Sequence, residues 1–185
     1  LKGSFDKANR TSIHSNRGPG LDEGIRIMRS IKEDFPNIKI VTDIHDVSQA
    51  LPLSDVVDVI QIPAFLCRQT DLLVACAKNF NIINIKKGQW LSADAMKHAV
   101  AKIKEVDPNC EVWVTERGSN FGYDRLIVDF RGVDVMKEFA DKVLSARSKA
   151  LSREKALIDA LLDELATNLT RLTTSSAPPA ALDVR

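Results

Sequence analysis

The amino-acid sequence predicts an α/β fold, a partial (β/α)8 TIM barrel with about five of the eight strands. Short β-branched runs alternate with helical patterns at intervals of roughly 20–30 residues, which is typical of βα units in a parallel sheet. No glycine-rich dinucleotide motif follows the strands, which disfavours the alternative of an open doubly wound sheet. Because a complete barrel needs about 250 residues, this interpretation requires units beyond the 185 residues of this chain.

The predicted elements follow one another in order along the chain. The strands are expected at 2–5, 38–43, 56–62, 82–86 and 111–115. The helices are expected at 21–31, near 47–51, at 71–77 and from Met96 to Ile103, where apolar residues recur at helical spacing. Asp22 and Glu23 occupy the first turn of the first helix, where acidic side chains suit the helix dipole. Ser92 is placed to cap the last helix.

The sequence after residue 140 predicts a different kind of structure. Leucine and isoleucine recur at spacings of 7, 4, 3, 4 and 3 between Leu151 and Leu172, a heptad-like stripe. We therefore expect a partial barrel over 1–140 with no further strand, a long amphipathic helix over 141–172 and, from its Thr, Ser and Pro content, a disordered tail over 173–185.

Composition excludes several classes of partner. The net charge of +1 gives no reason to expect nucleic acid or an anionic membrane, and no apolar run is long enough to span a bilayer. Cys67, Cys76 and Cys110 lack metal-ligand spacing, and a sparse odd set of cysteines indicates reduced thiols in a cytoplasmic compartment. The chain starts with Leu1 inside a predicted strand end, so we expect it to be part of a longer protein.

Lysine and arginine residues collect near the predicted strand ends. These residues are Lys2, Lys7, Arg10, Lys86 and Arg117. The carboxyl ends of the strands share one face of a parallel barrel, so these cations would converge on anionic ligands such as phosphate and carboxylate. For each of them the alternative is a solvated loop position. That alternative is weakest for Lys86, which ends an apolar strand where an unpaired charge is costly.

Two further groups at strand ends have open interpretations. Asp43 and His45 could orient a substrate hydroxyl or act in acid–base chemistry, or His45 could be a hydrogen-bonded loop residue. Two side chains are too few for a metal site. Pro63 and Phe65 could line a site or only pack. Cys67 has no activating partner nearby in the sequence, so we do not expect it to be a nucleophile.

Six motifs in order carry a family resemblance over residues 1–137. They are Ser4–Arg10, Arg17–Gly20, Thr42–His45, Ile62–Leu72, Asn84–Gln89 and Arg117–Tyr123. Together they resemble the 3-deoxy-D-manno-octulosonate 8-phosphate synthases. The related aromatic-pathway synthases, which use erythrose 4-phosphate, share the barrel chemistry but not the first of these motifs.

The resemblance implies an activity and a set of site residues. The activity is condensation of phosphoenolpyruvate with D-arabinose 5-phosphate, by a cytoplasmic homo-oligomer that is a tetramer in the family and acts in Kdo and lipopolysaccharide or pectin biosynthesis. The implied phosphoenolpyruvate-binding residues are Lys7, Ala64, Phe65, Lys86 and Arg117, of which Lys7, Lys86 and Arg117 would be catalytic. The implied sugar-phosphate residues are Lys2, Asn9, Arg10, Thr11, Asp43 and Pro63.

The chain also departs from the family pattern. In the family, a strand before the present Leu1 carries a cysteine in metal-dependent members and an asparagine in the others, and two later strands supply a histidine, a glutamine and an acidic pair. None of these is recognisable here, so no cofactor or metal ligand is visible and the metal class stays open. The alternative function is a truncated, non-catalytic homologue or an interaction protein that uses the stripe from Leu151 to Leu172.

Overall fold

The computed structural model describes residues 1–121 and 125–145. These residues form one compact unit built on a five-stranded parallel sheet. The strands are β1 Val41–Asp43, β2 Val59–Ile62, β3 Ile82–Lys86, β4 Glu111–Thr115 and β5 Lys142–Leu144. The α-helices are α1 Leu21–Asp34, α2 Ala50–Ser54, α3 Thr70–Asn79, α4 Lys97–Val106 and α5 Arg131–Lys137.

The strand order supports the barrel over the doubly wound sheet. Each strand pairs with its predecessor in the chain, in the order β1-β2-β3-β4-β5, whereas the order of a doubly wound sheet reverses at a switch point. Lys2 forms a parallel bridge with Val41, so the chain start lies beside β1 in the same sequence of neighbours. The prediction of an α/β fold of the partial-barrel type is therefore confirmed.

Alternation along the strands gives the sheet two different faces. Ile60, Ile83 and Val112 are fully buried on the face that packs against the helices. The register instead aligns Asp43 with Gln61 and Gln61 with Asn84, so polar side chains occupy the opposite face. Lys86 lies two residues after Asn84 and ends β3 on this same polar face.

Three predicted strands are shorter in the structure. The strand expected at 2–5 is reduced to the bridge between Lys2 and Val41, and the differences at the next two strands have local causes. The Val56 and Val57 amides donate to the Leu53 carbonyl at 3.1 and 3.0 Å, so they complete the turn after α2 and β2 starts only at Val59. The Ile40 amide donates to the side chain of Asp58 at 2.8 Å, and β1 starts at the next residue. β3 and β4 have the predicted bounds.

The prediction that no strand follows residue 115 is wrong. The chain continues through α5 into β5, which pairs in parallel with β4 from Trp113 opposite Lys142 to Thr115 opposite Leu144. Three residues are too short to show a period-two pattern, which is why the sequence placed 142–144 in a helix. The rest of the predicted helix, its leucine stripe and the predicted tail lie outside the described residues.

Candidate active site

A cavity of about 530 Å³ opens at the carboxyl ends of β1, β2, β3 and β4. Its lining comprises Asp6, Lys7, Ala8, Asn9, Asp43, His45, Gln61, Pro63, Ala64, Phe65, Leu66, Lys86 and Arg117. These side chains come from consecutive strand ends and from the loop that follows residue 5. The carboxyl face of a parallel barrel is where such folds keep their active sites.

The structure brings together most of the site residues named from the sequence. Eight of them line the cavity, namely Lys7, Asn9, Asp43, Pro63, Ala64, Phe65, Lys86 and Arg117. Lys2 does not line the cavity but contacts its lining, because Lys2 Nζ donates to Gln61 Oε1 at 2.7 Å. Arg10 and Thr11 are exposed on the loop beside the cavity and do not line it.

Positive charge is concentrated around Lys86. This residue ends β3 and is partly buried, and burial is the main cause that lowers its pKa. The neighbouring cations Lys2, Arg117 and Lys7 lower the pKa of Lys86 further, while the carboxylate of Asp43 raises it. Desolvation and like charges both disfavour the ammonium form. An anion bound in the cavity would relieve this repulsion.

Asp43 and His45 form a polar pair at the end of β1. His45 Nε2 lies 3.4 Å from Asp43 Oδ2. Burial raises the pKa of the Asp43 carboxyl, but interactions with the His45 and Ser4 side chains outweigh it, so the pKa is lowered overall and the group is ionised at neutral pH. Asp43 Oδ1 and His45 Nδ1 are buried without a hydrogen-bond partner among the described residues. Buried polar atoms of this kind are available to a ligand.

The loop from residue 6 to residue 17 is fixed at its base, and this places Lys7. Arg17 donates two hydrogen bonds to the Asp6 carboxylate, at 2.9 and 2.6 Å. The Lys7 amide donates to the Arg17 carbonyl at 2.6 Å. Gly18 has a φ of 114°, and a Cβ at this position would lie 2.7 Å from the Phe5 carbonyl oxygen. The Arg17–Gly20 motif therefore requires a glycine that closes the loop against the sheet.

Three exposed aromatic rings stand beside one another at the mouth of the cavity. Phe65 stacks on Trp90 with 5.9 Å between ring centroids and on Phe121 with 5.5 Å. Trp90 and Phe121 are 6.1 Å apart. Phe65 therefore lines the cavity and also contacts the loops that follow β3 and β4.

Sequence reasoning missed Gln61 as a site residue. It lies inside β2 among apolar neighbours, is almost fully buried and lines the cavity. Its side-chain Oε1 accepts a hydrogen bond from Lys2 Nζ, and its backbone position is opposite Asp43. The available signal was a polar residue within an apolar strand, whose burial requires a hydrogen-bond partner.

The cysteines are unsuited to nucleophilic chemistry. Cys67, Cys76 and Cys110 are all buried. Burial raises the pKa of Cys67, raises that of Cys76 to about 12 and raises that of Cys110 to about 11. Thiols with raised pKa values contain little of the reactive thiolate at neutral pH. The expectation that Cys67 is not a nucleophile agrees with this environment.

Comparison with protein families gives a match over most of the sequence. The model of the DAHP synthetase I family matches residues 1–168. The chain belongs to the DAHP synthetase I family. The family match extends beyond residue 140, into the segment that the sequence predicts to be a long amphipathic helix.

Three curated relatives are identical to this chain at about half of the aligned positions. Each is named 2-dehydro-3-deoxyphosphooctonate aldolase. The protein of Koribacter versatilis is 51% identical over 146 residues, which cover 79% of this chain and 52% of that relative. The protein of Campylobacter jejuni strain RM1221 is 54% identical over 156 residues, with 79% and 57% covered. That of Shewanella baltica strain OS185 is 50% identical over 153 residues, with 83% and 54% covered. The chain thus spans just over half the length of these relatives.

Proposed function

We propose that this chain is part of a synthase of the transferase class that condenses phosphoenolpyruvate with D-arabinose 5-phosphate. The products are 3-deoxy-D-manno-octulosonate 8-phosphate and inorganic phosphate. The observation that carries the proposal is the convergence of Lys7, Lys86 and Arg117 in one cavity at the strand ends. The names of relatives that are about 50% identical to this chain favour the same reaction.

The phosphoenolpyruvate subsite is proposed at the three cations. Phosphoenolpyruvate carries a phosphate and a carboxylate, and both need cationic donors when they are withdrawn from water. Arg117 can pair with one of them in two parallel hydrogen bonds, whereas Lys7 and Lys86 supply compact charges. Ala64 and Phe65 are neighbours in the cavity lining, the first buried and the second exposed. Their apolar side chains could pack against the flat enol.

The sugar-phosphate subsite is proposed on the side of β1. The ionised Asp43 carboxylate has a buried oxygen without a partner, which can accept a hydrogen bond from a sugar hydroxyl. Pro63 lines the same wall. The loop residues Asn9, Arg10 and Thr11 would hold the phosphate of the sugar, and Lys2 supports this side through its bond to Gln61.

The reaction needs charge stabilisation at two points. C3 of the enol forms a bond to the aldehyde carbon of arabinose 5-phosphate, and the carbonyl oxygen becomes an alkoxide that takes up a proton. Lys86 and Lys7 are placed to stabilise that oxygen electrostatically. Water then adds to C2, and cleavage of the C2–O bond releases phosphate.

Other properties of the family remain proposals for this chain. We propose a homo-oligomer, a tetramer as the family resemblance implies, in the cytoplasm. No helix in the described parts of the chain is long and apolar enough to cross a membrane. Residues 1–121 and 125–145 contain no group of three His, Cys, Asp or Glu side chains that could hold a metal ion.

Direct binding of phosphoenolpyruvate tests the proposal. We expect calorimetric titration of the 185-residue chain to show binding, and we expect Arg117→Met to weaken it at least tenfold because a charged partner of the ligand is lost. Lys97→Met is the matched control, since Lys97 pairs with Asp94 on the surface away from the cavity. Absence of binding by the unmodified chain, or equal losses in both variants, would contradict the proposed site.

A further inference from the structure

A buried ion pair lies directly behind the proposed phosphoenolpyruvate site. Lys87 and Glu116 each expose less than 5% of their side chains, and Lys87 Nζ lies 3.4 Å from Glu116 Oε1. Each residue is the chain neighbour of a proposed catalytic cation, because Lys87 follows Lys86 and Glu116 precedes Arg117. Successive side chains alternate between the faces of a strand, so the pair points away from the cavity while its neighbours line it.

Lys87 ties two loops together through backbone carbonyls. Its Nζ donates to the carbonyl oxygens of Gly88 at 3.3 Å and Leu91 at 3.2 Å, in the loop after β3. It also donates to the Gly118 carbonyl at 3.0 Å, in the loop after β4. An ammonium has three donors, so this side chain is saturated by partners on both loops.

Glu116 fixes the position of Arg117 from the other side. Its Oε1 accepts from the Gly118 amide at 2.6 Å, so the two neighbours of Arg117 are bound to each other. The Glu116 amide donates to the Leu144 carbonyl of β5 at 2.8 Å. Gly118 has a φ of 95°, and a Cβ there would lie 2.6 Å from the Ile127 carbonyl oxygen. The turn that presents Arg117 is therefore held at several points.

The same pair also positions the aromatic wall. The two carbonyls that Lys87 binds in the first loop lie on either side of Trp90 in the chain. A Cβ at Gly88 would meet the Trp90 ring at 3.0 Å, so the backbone and the ring are in close contact. Trp90 in turn stacks on Phe65, which lines the cavity.

We propose that Lys87 and Glu116 are positioning residues that hold Lys86, Arg117 and the Trp90–Phe65 wall in register for phosphoenolpyruvate. The inference rests on the proposed function for its ligand. A buried ion pair is a poor source of stability, since desolvation offsets most of its attraction, and well-packed apolar replacements are often tolerated. Its value here is the geometry that it imposes on two loops, each of which carries a cation of the site.

The test combines a spectroscopic readout with ligand binding. In a Trp113→Phe background, Trp90 is the remaining tryptophan of the chain. We compare Lys87→Met, the double variant Lys87→Met/Glu116→Leu and a control, Val100→Ala, which opens a cavity in the buried face of α4 but removes no partner of Lys87 or Glu116. The double variant leaves no unpaired charge, so it keeps the test informative if the single variant does not fold.

We expect the double variant to bind phosphoenolpyruvate at least tenfold more weakly than its parent, with a changed emission maximum and lower anisotropy of Trp90. We expect Val100→Ala to lower the thermal midpoint but to keep both the affinity and the emission. Unchanged affinity in the double variant, or an equal loss in Val100→Ala, would overturn the positioning role. If the parent itself does not bind phosphoenolpyruvate, the proposed function fails, and the ligand-free emission of Trp90 decides the inference: a shift in the double variant supports it and an unchanged spectrum overturns it.

Discussion

At the scale of single residues, the chemistry of the cavity is largely readable from the sequence. Lys86 and Arg117 follow recognisable strands, and parallel strands bring their carboxyl ends to one face, so their convergence could be predicted. The role of Gln61 could not, because it depends on the partner that Lys2 supplies across the sheet. The role of Lys87 could not be predicted either. Whether a lysine side chain points into a cavity or binds backbone carbonyls depends on the geometry of the loops around it.

We expect the Lys86 ammonium group to lower the free energy of unfolding while it strengthens phosphoenolpyruvate binding. Its pKa is lowered in the folded chain, so the ammonium form destabilises the fold at every pH below that lowered value. The penalty disappears as pH rises towards 10.5, the ordinary pKa of the unfolded side chain. We therefore expect Lys86→Met to raise the free energy of unfolding at pH 7 and to weaken phosphoenolpyruvate binding at least tenfold.

Urea unfolding at several pH values measures this effect. The stability gain of Lys86→Met should shrink as pH approaches the alkaline range. The control Lys97→Met removes an exposed charge and should give no stability gain at pH 7. A loss of stability in Lys86→Met at pH 7 would refute the electrostatic account of this site.

At the scale of elements, prediction succeeded where the local signal was strong. β3 and β4 are β-branched runs with clear ends, and both have the predicted bounds. The start of β2 was misjudged because hydrogen bonds to Leu53 hold two valines in a turn, an effect of packing that overrides β propensity. β5 is only three residues long and becomes a strand by pairing with β4.

The loop that carries Lys7 gives a prediction at this scale. Gly18→Ala places a Cβ against the Phe5 carbonyl in a backbone conformation with positive φ, so we expect it to cost about 1–3 kcal/mol in the free energy of unfolding. Since Arg17 binds the Lys7 amide, phosphoenolpyruvate affinity should also fall.

Gly3→Ala is the matched control for this loop. A Cβ added at Gly3 would have no heavy atom within 4 Å, and Gly3 does not have a positive φ. Chemical denaturation and calorimetric titration of both variants make the comparison. Equal stabilities for the two would show that the Arg17–Gly20 turn does not constrain the loop.

At the scale of the whole molecule, the chain carries the proposed phosphoenolpyruvate site but not the full length of its relatives. It spans just over half of the curated proteins that it matches. We expect the 185-residue chain to release little or no phosphate when supplied with phosphoenolpyruvate and arabinose 5-phosphate, because the closed barrel needs further strands.

A colorimetric phosphate assay with both substrates measures this, and a longer protein that includes the remaining strands is the positive control. Turnover by the chain at the rate of that longer protein would contradict the expectation. Phosphoenolpyruvate binding without turnover is the combination that we expect.

The sequential strand order has a consequence for how the protein is made. Each of the strands β2 to β5 pairs with the strand that precedes it in the chain. The pairing partner of each strand has therefore already been synthesised when that strand leaves the ribosome. Contacts that are local in sequence form quickly, and synthesis proceeds from the N-terminus at about 5–20 residues per second. The order of translation can thus serve as the order of assembly, with the strand ends that carry Asp43 and Lys86 in place before the last strand is synthesised.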